Sequence, residues 1–144
     1  MLALQLLGLQ ALGLGLATYV HEIGVAPKIV TGHDFRGYSL SVKQALILGL
    51  LEGGMEVLDV GLALSPMAYF GQFELDAPCV AMVTASHNPP QDNGYKVYLG
   101  TGSQIVPPSD AQIAEQISRV TSVASVPRAE SGWEVLGDEV LEAY

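Results

Sequence analysis

Ser86, His87 and Lys96 are gathered in one polar stretch, Thr84-Ala85-Ser86-His87-Asn88-Pro89-Pro90-Gln91-Asp92-Asn93-Gly94-Tyr95-Lys96. A hydroxyl, an imidazole and an ammonium this close in sequence suit group transfer. The stretch lacks the Gly-x-Ser-x-Gly elbow that exposes a hydrolase serine, and it lacks the lysine-terminated, glycine-rich run that cradles a nucleotide's phosphates. A serine that itself carries a phosphoryl group fits better. Phosphorylation adds roughly two negative charges, which call for cations around them and usually a divalent metal. His87, Lys96 and, from farther away, Arg36 are such cations.

Such a serine must be held at an accessible edge. Cys79-Val80-Ala81-Met82-Val83 is short, apolar and partly β-branched, as a buried parallel strand should be, so Ser86 falls just past a strand's carboxyl end. In open α/β sheets that edge is where ligands bind. Asn88 before Pro89 is pushed away from helical angles, and Pro89-Pro90 have φ already fixed, so the segment is expected to be stiff. An ordinary Asn/Pro/Gly-rich turn is the plain alternative.

The combination Thr84-Ala85-Ser86-His87-Asn88-Pro89 followed by Asp92-Asn93-Gly94-Tyr95-Lys96 resembles the phosphoserine loop of the α-D-phosphohexomutases, the phosphoglucomutases and phosphomannomutases. The resemblance covers most of Ile29 to Val120, which is domain I of a four-domain family. It implies that Ser86 is phosphoryl donor and acceptor, with His87 and Lys96 in acid/base or electrostatic roles. Asn88, Asn93 and Gly94 are implied in phosphate or substrate binding. A Mg2+ ion would meet Ser86 through its phosphate, its aspartate ligands lying in a domain outside this chain. A sugar bisphosphate would prime the serine, and a hexose or pentose phosphate would be the substrate. His33 to Phe70 look like the phosphomannomutase type and Pro89 to Pro108 like the glucose or pentose phosphomutase branch, so the sugar stays open. Gly32-His33-Asp34-Phe35-Arg36 is similar to the family's turn after the first strand, which would bring Arg36 toward the phosphoserine; a surface pair with Asp34 is the alternative.

The remaining chain reads as strand and helix in alternation. Ile29-Val30-Thr31 is a strand. Val42, Ala45, Leu46, Gly49 and Leu50 recur at helical spacing up to Gly53-Gly54, with Ser39 or Ser41 as cap. Met55 to Val60 is a second strand, and Ser65-Pro66 opens a helix through about Phe73. Val97-Tyr98-Leu99 is a further strand, and a helix runs from Ala111 to about Val120. This order predicts a three-layer α/β/α domain with a small, mainly parallel (mixed) sheet. Residues 1–120 are read as domain I without the glycine-rich, arginine-bearing loop that precedes it in the family. Residues 121–132 are read as a linker, and 133–144 as the truncated start of a following element.

Composition narrows the partners. Fifteen acidic against six basic residues give a net charge of −9, which argues against nucleic acid and against an anionic membrane. The lone Cys79 cannot form an internal disulfide, and a cytoplasmic location is expected. Met1 to Val20 carries no charged side chain and is long enough for a membrane span. Its glycines and glutamines and the His21-Glu22 flank fit better a soluble helix packed on the sheet. By itself the chain is expected to be inactive, and to self-associate or bind the missing domains. A non-catalytic α/β binding or assembly module is the competing reading.

Overall fold

The computed structural model describes residues 2–84, 94–121 and 131–144, with side chains from residue 7 onward. Its elements are α1 (Leu2–Glu22), β1 (Lys28–His33), α2 (Ser39–Glu52), β2 (Glu56–Leu62), α3 (Ser65–Glu74), β3 (Cys79–Thr84), β4 (Gly94–Leu99), β5 (Ser103–Gln104), α4 (Ser109–Arg119), β6 (Trp133–Val135) and α5 (Glu139–Ala143). The sheet runs β5-β4-β3-β1-β2-β6. Strands β1, β2, β3 and β6 are parallel to one another, and β4 and β5 are added antiparallel, so the sheet is mixed.

Strand alternation divides the core into two layers. Ile29, Val57, Cys79, Ala81, Val83 and Val97 face one side with residues of α1, α2 and α4, whereas Val30, Leu58, Val80, Met82 and Tyr98 face the other with Ala68 and Tyr69 of α3. Both faces are covered, which is why β3 is buried at every position.

Right-handed crossovers explain this division. The chain moves from β1 to β2 in one direction through α2, then from β2 back past β1 to β3 through α3, so the two helices fall on opposite faces. The direction of winding therefore reverses at β1. Gly54, at φ +79, supplies the left-handed turn that ends α2 and sends the chain into β2, its N–H bonded to the Leu51 carbonyl.

Helix α1 is apolar around most of its circumference because it is sandwiched between α2 and α4. Its buried Leu16, Ala17 and Val20 share one core layer with Ile29, Cys79 and Ala81 of the sheet, but the small residues expected to allow close approach to the sheet do not make that contact. The small residues serve helix contacts instead: a Cβ on Gly13 would lie 2.2 Å from the Leu46 carbonyl oxygen, one on Gly49 would lie 2.0 Å from that of Gln10, and one on Gly15 would strike Ile117. Among the described residues no helix is long and apolar enough to cross a membrane. Alanine at Gly13 or Gly49 should lower stability by about 1–3 kcal/mol through overpacking, although helix propensity alone would raise it by roughly 1 kcal/mol. A raised urea midpoint for either variant would contradict the close α1–α2 crossing.

The segment expected to begin a following element joins the same sheet. Residues Trp133–Val135 pair with Val57–Asp59 of β2, and α5 packs on α3 with Val140 buried. Its sequence offered only three strand residues, too short a run to show a period.

Candidate active site

The reversal of winding at β1 puts the topological switch point at the carboxyl ends of β1 and β3, the place where open α/β sheets bind ligands. The chain leaves β3 at Thr84 and re-enters the sheet at Gly94, and these two residues are direct partners across the antiparallel pair. Both ends of the intervening segment are therefore anchored at this one edge. Ser86, His87, Asn88 and Asn93 belong to that segment and lie outside the described residues.

Asp34, one residue beyond β1, is the centre of the described part of the site. Its Oδ1 accepts from the Arg36 backbone N–H at 3.2 Å and from the Ser39 hydroxyl at 2.5 Å. Its Oδ2 accepts from the Arg36 guanidinium and, at 3.0 Å, from the Thr84 hydroxyl at the end of β3. The Asp34 N–H donates in turn to the Val83 carbonyl, so both backbone and side chain bridge the two strands. Burial pushes the carboxyl up, but the Ser39 hydroxyl, the Arg36 amide, the Thr84 hydroxyl and the Arg36 charge together outweigh it and hold Asp34 below its ordinary value. It is ionised at neutral pH.

Arg36 thus forms the pair with Asp34 that sequence reasoning weighed against an active-site role, but the pair stands at the strand edge and not on a remote surface. The guanidinium carbon also lies 5.6 Å from the centre of the exposed Phe35 ring, a cation–π distance. Lys96 was expected to follow the loop; instead it lies inside β4, opposite Met82 and half-buried. By alternation it shares the α3 side of the sheet with Tyr98. Gly94 is exposed at the head of the same strand.

Asp34, Ser39 and Thr84 were not singled out as site residues. The signal was present: an aspartate directly after a strand, with its carboxylate within reach of the N–H two residues on, is an Asx-turn pattern. Ser39 also does not cap α2 as expected, because its hydroxyl is taken by Asp34.

Beneath this edge lies a buried ion pair that was also missed. The Lys43 ammonium of α2 donates to both oxygens of Asp59 of β2, each at 2.6 Å, with the two residues 2% and 4% exposed. Asp59 also accepts from the Gly61 N–H at 3.0 Å and from the Thr31 hydroxyl at 3.4 Å. The pair ties α2, whose first residues carry the Asp34 contact, to the carboxyl half of β2.

Among the described residues no group of three His, Cys, Asp or Glu side chains comes together, and the oxygens of Asp34 are engaged by four donors. These residues do not fit a magnesium site by themselves. Burial pushes the Cys79 thiol up to about 12, so it holds no thiolate for nucleophilic work at neutral pH.

Residues 3–124 match the model of the phosphoglucomutase/phosphomannomutase α/β/α domain I. The chain belongs to this family. Over 142 residues it is 41% identical to a probable phosphomannomutase of Haemophilus influenzae, covering 94% of this chain and 29% of that protein. Over 94 residues it is 44% identical to a phosphopentomutase of Thermococcus kodakarensis, covering 65% and 20% of the two. In three dimensions it resembles the crystal structure of a putative phosphomannomutase from Thermus thermophilus, with TM-score 0.74 and 29% identity over 96% of this chain and 32% of the other. The domain thus spans less than a third of the length of these relatives.

Proposed function

We propose that this is the phosphoserine-bearing domain of a phosphohexomutase, interconverting sugar 1-phosphate and 6-phosphate through phosphorylated Ser86 and a sugar bisphosphate. The observation that carries this reading is the anchoring of both ends of the Ser86 segment at the switch-point edge, beside Arg36. The sugar hydroxyl attacks the phosphorus of phosphoserine; the bond to Ser86 Oγ breaks as the new ester bond forms. The hydroxyl proton leaves to a base, for which Lys96 and His87 are the candidates, and the serine oxygen takes up a proton. The bisphosphate then reorients and returns its other phosphoryl group to Ser86. Arg36 offsets the charge carried by the transferring group.

Magnesium, when bound, would add neutralisation of the phosphate oxygens. The relatives' names divide between mannose, glucosamine and pentose phosphates, so the sugar is proposed only as a hexose or pentose phosphate. Phe35, Leu62 and Leu64 stand exposed around the same edge, apolar surface that a further part of a longer polypeptide, or a second copy, would cover.

The test is chemical. The chain, fused to the remaining length of the Haemophilus influenzae relative and incubated with glucose 1,6-bisphosphate, should gain the mass of one phosphate, mapped by peptide analysis to Ser86. A phosphate on a different residue, or none while the fusion binds the bisphosphate, would favour a non-catalytic module.

A further inference from the structure

We infer that Asp34 is a positioning residue of the phosphoryl-transfer site, its carboxylate fastening the Arg36 cation and the Thr84 root of the Ser86 segment to each other at the carboxyl ends of β1 and β3. The inference rests on the phosphohexomutase reading, since it assigns Arg36 and Ser86 to one reaction.

All four partners of the carboxylate are donors, two on each oxygen. Only an ionised carboxylate can accept from all of them. Its depressed pKa agrees with that requirement. The contacts are also unlike one another in purpose. The Arg36 N–H and Ser39 bonds shape the turn into α2, whereas the guanidinium and Thr84 bonds reach toward the reacting side: one fixes a flexible cationic side chain, the other fixes the last residue of β3, two positions before Ser86. The Arg36 guanidinium carbon also lies over the exposed Phe35 ring, 5.6 Å from its centre. Holding a cation and a nucleophile's anchor on one carboxylate sets their relative placement before substrate arrives, which matters because misplacement by about 1 Å can cost on the order of 100-fold in rate.

Asparagine has the right shape but one acceptor oxygen, and its NH2 group must turn toward either the Arg36 and Thr84 donors or the Arg36 amide and Ser39. In Asp34→Asn, NMR of the chain should show the Arg36 guanidinium and Thr84 hydroxyl protons losing dispersion and exchange protection, while the methyl signals of Leu46, Val57 and Val83 stay in place. In the active fusion, kcat should fall by roughly 10- to 100-fold with KM little changed. Asp34→Asn should add almost nothing to the loss already caused by Arg36→Ala combined with Thr84→Val, because it acts through those two groups. Unmoved Arg36 and Thr84 signals, or unchanged kcat, would overturn the assignment. If Asp34→Asn does not fold, the isosteric Thr84→Val decides: an unchanged kcat sinks the inference. Ser86→Ala, assayed in parallel, separates the two ideas: if that variant keeps turning over, the phosphoserine reading itself has failed.

Discussion

Ser86→Ala is expected to abolish sugar-phosphate interconversion by the chain joined to the remaining length of its relatives, a loss on the order of a million-fold, the scale of deleting a covalent nucleophile. The reason is stoichiometric. If the phosphoryl group passes through the enzyme, a side chain must form and break an ester bond in every cycle, and alanine has no oxygen with which to do so. Neighbouring cations cannot replace that bond; they only lower the charge on the group in flight. Sugar phosphate should still bind, because nothing in the substitution removes Arg36 or Lys96. The measurement is coupled turnover of hexose 1-phosphate primed with bisphosphate, alongside sugar-phosphate binding by calorimetry. Full turnover by Ser86→Ala would end the phosphoserine reading, whereas lost binding with a folded protein would place Ser86 in recognition and not transfer.

Lys43→Met is expected to lower stability by about 3–5 kcal/mol, because it leaves the Asp59 carboxylate buried without its countercharge. For a domain whose total stability is typically about 5–15 kcal/mol, that is a large share. Asp59→Leu should cost a similar amount by stranding the ammonium. The double variant Lys43→Met/Asp59→Leu should recover most of the loss, since apolar side chains of similar volume replace the pair without a desolvation cost. Recovery stays incomplete because the Gly61 N–H and the buried Thr31 hydroxyl lose their acceptor, each worth about 1 kcal/mol. Urea unfolding of the four proteins measures this directly. A double variant no more stable than either single one would show that charge compensation is not the cause.

Lys43 also illustrates how far sequence reasoning reaches. It occupies the same stripe as Leu46, Ile47 and Leu50, at helical spacing, so its burial could be read in advance. Asp59 likewise interrupts the apolar run Val57-Leu58-Asp59-Val60. Each residue by itself is an anomaly. Only the packing of α2 on β2 makes them one neutral unit, because the contact crosses from one element to the next through space.

The alternation of strand and helix, the mixed sheet and the place of the Ser86 segment past a strand's carboxyl end were determined by sequence alone, because apolar periodicity and turn chemistry are local and each element carries its own record. The length of β4, which takes in Lys96, was decided by tertiary pairing: its ladder to β3 extends to Gly94 through backbone bonds that any side chain permits. The same holds for β6, three residues that form a strand only because β2 offers an open edge. The joining of Arg36, Ser39 and Thr84 on Asp34 also belongs to the fold. Its donors come from the turn after β1, the start of α2 and the end of β3, and they meet because right-handed crossovers bring β3 beside β1. No pattern within a single element records that meeting.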